Sequence, residues 1–329
     1  RWSRRFLELK LPNLDLVHIH EFWQPAAAQV AMLAKRLGTP YIVSAHGMLD
    51  DWSMAQSSLK KQVFLRVVGN RMFRGAGVVH CTAVGEAQQA ARHVPARRTG
   101  VVPLVMDLDA YRVLPDRAEA RACLPGKKDV PSIAFLGRLH PKKGLDRLIE
   151  ATAGLVSQGG QVEVFIGGTG EAAYEAELRS QASRLGGADS IHFLGHVSGS
   201  DKINLLRGVD VLTLPSHQEN FGLVLVESLA CGTPVITTKA VDIWPELQAG
   251  GGAIILEDAE SVSVRSAIDT LLGNAVKRRE MGQQGRRWVF EHLHPERVLD
   301  QFESLYSGLI EGADLARTAA QSAPIAMSA

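Results

Sequence analysis

Short β-branched apolar runs alternate with longer amphipathic stretches along most of the chain, and that alternation predicts parallel strands joined by crossover helices. In the first third, strands are expected at residues 14–20, 41–46, 77–82 and 100–104, with helices near 26–35, 59–73 and 85–93. The rhythm breaks at 115–130, where Leu114-Pro115-Asp116-Arg117 and Leu124-Pro125-Gly126-Lys127 carry turn chemistry, so this stretch reads as a linker. It resumes with strands at 131–136, 162–166, 191–194, 209–214, 235–237 and 253–256. Two helices follow, 275–292 and 295–310, the second opened by Pro295 at a position that suits a first helical turn. The expected architecture is α/β, with two doubly wound parallel-sheet domains at 1–114 and 131–294 facing a cleft, and a tail at 313–329 with few apolar anchors, expected to be disordered.

Composition narrows this picture. A chain of 329 residues that is 46% hydrophobic can bury two cores, and a net charge of +1 gives no reason to invoke nucleic acid. Cys81, Cys123 and Cys231 are scattered and odd in number, which argues against a disulfide framework or a zinc site and suits a reducing cytoplasm. No run is apolar enough to span a bilayer, and Arg1-Trp2-Ser3-Arg4-Arg5 is not followed by a secretory segment, so a cytoplasmic protein is expected, at most peripheral on the inner face of the membrane. The basic amphipathic stretch 60–74 is read as a core-packing helix with a solvated charged face in preference to a membrane-surface helix.

Candidate chemistry concentrates in two loops. The strand at 209–214 leads through Glu219-Asn220-Phe221-Gly222-Leu223 into a helix that ends at Gly232-Thr233-Pro234. A helix beginning near Phe221 offers the backbone N–H groups of Gly222 and Leu223 to an anion. Glu219 precedes that anion site and Glu227 follows it, about two turns in or roughly 9 Å along the helix. Carboxylates accept from hydroxyls, so a phosphate bracketed by two of them suggests a nucleotide sugar; the plain alternative is two acids near a helix start for dipole reasons. The second loop, Gly137-Arg138-Leu139-His140-Pro141-Lys142-Lys143-Gly144, follows a strand and places Arg138 and Lys143 where open α/β sheets bind ligands. Together they can neutralise a diphosphate, and Lys142 is read as solvated.

Two glutamates separated by seven residues, within Glu219-Asn220-Phe221-Gly222-Leu223 and Glu227-Ser228-Leu229-Ala230-Cys231-Gly232-Thr233-Pro234, resemble the signature of the retaining nucleotide-sugar glycosyltransferases of family 4, also called group 1, which have the GT-B fold of two Rossmann-like domains. Residues 135–146 resemble the same family's phosphate-binding segment, and Ser44-Ala45-His46-Gly47 resembles its His-Gly, where the histidine faces the donor sugar. The resemblance implies catalytic roles for Glu219, Arg138, Lys143 and His46, and donor binding by Gly137, Gly168, His196, Val197, Phe221, Gly222, Leu223 and Glu227. Gly168 lies in a short Gly-rich turn, a weak signal by itself, and the Gly195-His196-Val197 backbone would contact the base. His18 reads as structural, whereas His20 and Glu21 could line the acceptor side.

By the same resemblance, residues 295–312 would form a helix crossing back to the first domain. The family opens with a strand and a Gly-rich loop, but here the first clear strand starts at Leu14, so the acceptor half is expected to be incomplete. Asp107-Leu108-Asp109 is read as a turn, and no metal or other cofactor is expected. The implied activity is transfer of a sugar, with retention, from a nucleotide diphosphate sugar to a saccharide or lipid-linked saccharide acceptor in bacterial polysaccharide, lipopolysaccharide or glycolipid synthesis. The alternatives are a non-catalytic nucleotide-sugar-binding subunit and an epimerase of the same fold.

Overall fold

The computed structural model describes residues 14–56, 58–94 and 98–312, so the expectations for the basic start and for the tail at 313–329 lie outside the described residues. The chain divides into two units, Arg1–Val105 with Pro295–Ala329, and Met106–His294. Among the described residues no helix is long and apolar enough to cross a membrane.

In the first unit β1 (Val17–His20), β2 (Tyr41–Ser44), β3 (Val78–Cys81) and β4 (Thr99–Val101) form a parallel sheet in the order β1-β2-β3-β4. β2 and β3 are buried along their whole length, which is why they read as continuous apolar runs. The helix expected at 59–73 is three pieces: Ser58–Phe64, a π-helical turn Leu65–Gly69, and Asn70–Gly75. Leu65, Met72 and Phe73 enter the core, but Leu59, Val63 and Val67 stand 75%, 53% and 59% exposed. One face packs into the core as expected, but the solvated face carries apolar side chains among its charges. Helix Pro295–Ile310 lays Val298 and Leu305 against Ile42, Val78 and Val102 of this unit.

A chain of hydrogen bonds runs through the same layer. His80 Nε2 lies 2.8 Å from the Val102 carbonyl and must donate, so His80 Nδ1 accepts from Ser44 Oγ at 2.7 Å. Ser44 then accepts from His18 Nε2 at 2.7 Å, and His18 Nδ1 accepts from the Tyr306 hydroxyl at 2.8 Å. Every member is satisfied only while both imidazoles are neutral. Burial is the first cause, and the neighbouring histidines add to it, so that His18 is pulled down to about 3 and His80 to about 4.

The second unit carries six parallel strands: β5 (Ser132–Leu136), β6 (Glu163–Gly167), β7 (Ile191–Gly195), β8 (Val211–Leu214), β9 (Val235–Thr238) and β10 (Ala253–Leu256). Their order is β10-β9-β8-β5-β6-β7, so the chain winds outward from β5 to β7, then crosses to β8 and winds outward the other way. The winding reverses between β5 and β8, and the carboxyl ends of strands at such a switch point are where open α/β sheets bind ligands.

The stretch 115–130, expected as a linker, contains the helix Arg117–Ala122, capped by Asp116 through the Ala118 N–H at 2.7 Å. Arg117 donates to the Val209 carbonyl at 2.6 Å, and Gly208 lets the backbone at Ala120 and Arg121 approach so closely that a Cβ there would lie 2.9 Å from Arg121 N. These contacts tie the stretch into the second unit, and the division of the chain falls at Val105 and Met106.

The histidine chain sets an acid limit on the first unit. Both imidazoles titrate lower when folded than at their ordinary value of 6.5, so unfolding takes up protons, and the stability they contribute is complete above 6.5 and lost as pH falls toward 4 and then 3. Urea unfolding of this unit is expected to show a falling midpoint across that window. A midpoint that holds constant down to the carboxylate range would contradict the neutral chain.

Candidate active site

The site is assembled at the crevice between β5 and β8. After β5 a 3₁₀ turn, Pro141–Lys143, ends at Gly144, whose φ of +67° is left-handed and whose absent Cβ would lie 2.1 Å from the Pro215 carbonyl oxygen. Glycine is needed there because two backbones touch. The contact continues along both loops. His217 N donates to Lys142 O at 2.8 Å, Lys142 Nζ reaches Gln218 Oε1 at 3.3 Å, and the Lys143 ammonium pairs directly with the Glu219 carboxylate.

Lys143 and Glu219, drawn from separate sequence motifs, thus meet with side chains only 13% and 19% exposed. Lys142, expected to be solvated, is half-buried and bridges the loops. Burial, and then the charges of Lys142 and Arg138, draw the Lys143 ammonium down to about 8. The adjoining Glu219 carboxylate opposes that fall and favours the ionised pair. Arg138 is exposed at the start of the loop. Glu219 is anchored through its backbone, with its N–H on Ala240 O and its carbonyl accepting from Asp242 N, both at 3.0 Å.

The helix expected to begin near Phe221 is Leu223–Ala230. Phe221 is buried, and Gly222 turns into a left-handed conformation at φ +68°, which delays the start by two residues. Glu227 consequently lies about one turn in, roughly 6 Å from Leu223, and not two. The first N–H groups of the helix still point out of its end, where an anion would meet them. Glu227 accepts from Lys202 Nζ at 2.6 Å and from the Tyr111 hydroxyl. Neither partner was visible as a site residue in the sequence, because Lys202 sits in an ordinary helix, Gly199–Gly208, and Tyr111 in a turn.

The Gly-rich turn after β6 packs against the neighbouring loops. Gly168 N donates to Gly195 O at 2.6 Å, and a Cβ on Gly168 would lie 1.8 Å from Gly137 O. Its N–H is engaged by Gly195, and Gly168 lets the loops after β5, β6 and β7 close on one another. Gly137 N likewise donates to Gly167 O at 3.0 Å. His196 is exposed and Val197 half-buried just after β7.

His46 belongs to the first unit. It follows β2 with a φ of +46°, unusual for a residue with a Cβ, and its Nε2 lies 2.9 Å from His20 Nδ1. The buried Glu86 holds this turn by accepting from Gly47 N at 2.5 Å, and it also accepts from Thr82 N at 2.6 Å. Burial pushes the Glu86 carboxyl up, while those donors oppose the shift. Asp107 and Asp109 form a turn in which Asp107 Oδ1 accepts from Asp109 N at 2.9 Å. Among the described residues no group of three or more His, Cys, Asp or Glu side chains is placed to hold a metal ion.

Residues 116–288 match the family model of the glycosyl transferases group 1, and residues 1–104 match a glycosyl transferase 4-like domain. The chain belongs to the group 1 glycosyltransferases. Among curated relatives, D-inositol 3-phosphate glycosyltransferase of Geodermatophilus obscurus is 31% identical over 91% of this chain and 67% of its own length. The enzyme of the same name from Saccharomonospora viridis is 34% identical over 68% of this chain and 54% of its own. This chain therefore spans little more than half to two thirds of the length of these relatives. Anabaena HepE, solved in complex with UDP, superposes with a TM-score of 0.80 at 23% identity, covering 93% of this chain and 82% of that one. The lipopolysaccharide glycosyltransferase WaaG does so with a TM-score of 0.66 at 17% identity, covering 88% and 85%. The fold is GT-B.

The protonation of Lys143 gives the site a pH dependence. The ammonium, the form that attracts a diphosphate, is present below about 8 and lost as pH rises through that value. Affinity for UDP or GDP, followed by titration calorimetry, is expected to fall on the alkaline side of this point, and a flat profile would remove Lys143 from the account.

Proposed function

We propose that this protein transfers a sugar from a nucleoside diphosphate sugar to a hydroxyl acceptor, with retention of configuration and without a metal ion. The observation that carries this reading is the meeting of Lys143 and Glu219 at the β5–β8 crevice, beside the start of helix Leu223–Ala230. The donor diphosphate would lie against Arg138, Lys143 and the N–H groups that begin the helix, which together offset the charge that grows on it as it leaves. In the free protein Lys143 and Glu219 neutralise each other. A bound diphosphate offers Lys143 a second anion and leaves Glu219 lone pairs for sugar hydroxyls. Glu227 would accept from the ribose diol, and the backbone at His196 and Val197 would meet the base.

In this scheme the C1–O bond to the donor phosphate breaks while the acceptor oxygen bonds to C1 on the same face. The acceptor proton passes to a phosphate oxygen of the leaving diphosphate, so no protein nucleophile or base is needed. His46 is assigned a hydrogen bond to a sugar hydroxyl, a role supported by its place after β2 and by the family resemblance. The proposed setting is bacterial polysaccharide, lipopolysaccharide or glycolipid synthesis. The names of the curated relatives favour a second acceptor, a hydroxyl of a phosphorylated cyclitol such as D-inositol 3-phosphate.

Calorimetric titration of UDP and GDP into the wild-type chain and Lys143→Ala tests the donor site. One nucleotide is expected to bind, and to bind about ten-fold more weakly to the variant, a loss of about 1.4 kcal/mol. Equal affinity in both proteins would overturn the assignment. Transfer that stops in EDTA and returns with Mg²⁺ would refute the metal-independent scheme.

The exposed Leu59, Val63 and Val67, with Lys60 and Arg66 among them, support peripheral contact with anionic lipid. Co-sedimentation with phosphatidylglycerol vesicles at low salt is expected, and weaker binding by Val63→Asp. A chain that stays in the supernatant at low salt rules this out.

A further inference from the structure

The surroundings of Glu227 carry an inference that deepens the donor-site reading and rests on it. Three separate segments converge on this one carboxylate. Glu227 comes from helix Leu223–Ala230, Lys202 from helix Gly199–Gly208, and Tyr111 from the turn Asp109–Tyr111, near the point where the chain enters the second unit. Lys202 Nζ donates to Oε1 at 2.6 Å, and the Tyr111 hydroxyl donates to the same group. Tyr111 is 4% exposed, whereas the Glu227 and Lys202 side chains keep 17% and 27% of their surface. The carboxylate is thus gripped from inside and open on one side.

An ionised carboxylate presents about four lone-pair directions. Lys202 and Tyr111 occupy two, and about two are left for incoming donors, which is what a vicinal diol supplies. Burial, and then the Glu227 charge, push the Tyr111 phenol up, so it stays an O–H donor and fixes the direction of its bond. The Lys202 ammonium, in turn, fixes Oε1 from the neighbouring helix at 2.6 Å.

We propose that Tyr111 and Lys202 are positioning residues that hold the Glu227 carboxylate aimed at a cis-diol, so that the site distinguishes a ribonucleotide from its 2′-deoxy counterpart. Neither residue touches the ligand. Their effect is read in the ratio of two affinities, because the diphosphate contacts made by Arg138 and Lys143 are common to both ligands. A purely structural strut between the two helices would weaken both ligands alike and leave that ratio unchanged.

The test is calorimetric titration of UDP, 2′-deoxy-UDP, GDP and 2′-deoxy-GDP into the wild-type chain, Glu227→Gln, Tyr111→Phe, Lys202→Met and Lys202→Arg. The wild type is expected to prefer the ribonucleotide by about ten-fold or more. That preference should shrink by at least about three-fold in Tyr111→Phe and Lys202→Met, with the deoxynucleotide affinity little changed, and be largely retained in Lys202→Arg. If Glu227→Gln loses the preference while Tyr111→Phe and Lys202→Met keep it, the positioning role is overturned and the ribose role of Glu227 stands. If wild type binds a ribonucleotide and its deoxy form equally, the ribose role of Glu227 fails and this inference fails with it. If none of the four binds, the donor-site reading itself fails.

Discussion

β8 lies beside β5 although the two are far apart in sequence, and the loops that leave them meet over the crevice between. Lys143 and Glu219 form their ion pair there, over a backbone contact at Gly144 and Pro215 that only a glycine allows. Each half of the pair would be expensive to bury alone; together, and left partly open, they hold a cation and an anion in readiness for a ligand that carries both phosphate and hydroxyl groups. The rest of the second unit serves this arrangement. The loop after β9 pins Glu219 by its backbone, the glycines after β6 bring three loops together, and the cap at Gly222 sets where the helix and its N–H groups begin.

The first unit solves the problem of buried polar groups differently. Its central layer contains no paired charges along the chain from Tyr306 through His18, Ser44 and His80 to Val102; it is a sequence of neutral donors and acceptors with one direction. Such a chain ties a helix from the end of the sequence to three strands from its beginning, and it does so only while no proton is added. Nearby, Glu86 is a buried carboxylate whose donors are Gly47 N of the turn after β2 and the backbone and hydroxyl of Thr82 after β3. The turn it fixes is the one that gives His46 its left-handed conformation.

Much of this was legible in the sequence because the chemistry is concentrated in contiguous loops. Alternation of apolar runs marks the strands of both sheets among the described residues, and the residue types at Arg138, Lys143, Glu219 and Glu227 suggest phosphate and hydroxyl recognition from the sequence alone. What was not legible depends on contacts between distant segments or on the sign of one torsion. The grip of Lys202 and Tyr111 on Glu227 joins residues on three elements, and Lys142 met Gln218 only once β5 and β8 were neighbours. The left-handed Gly222 moved the helix start by two residues, and a π-helical turn split the segment 58–75 into a buried face and an exposed one. The 117–122 helix was hidden by the prolines and charges around it, since its stability comes from packing on Gly208 and Val209 and not from its own pattern.

The central claim is that the β5–β8 crevice receives the diphosphate of the donor. Diffraction from crystals of the chain grown with UDP, or with GDP if that is the nucleotide bound, tests it most directly. The account predicts phosphate oxygens within about 3 Å of Lys143 Nζ, the Arg138 guanidinium and the first N–H groups of helix Leu223–Ala230, with the Lys143–Glu219 contact opened. A diphosphate bound elsewhere, with that ion pair intact, would contradict it.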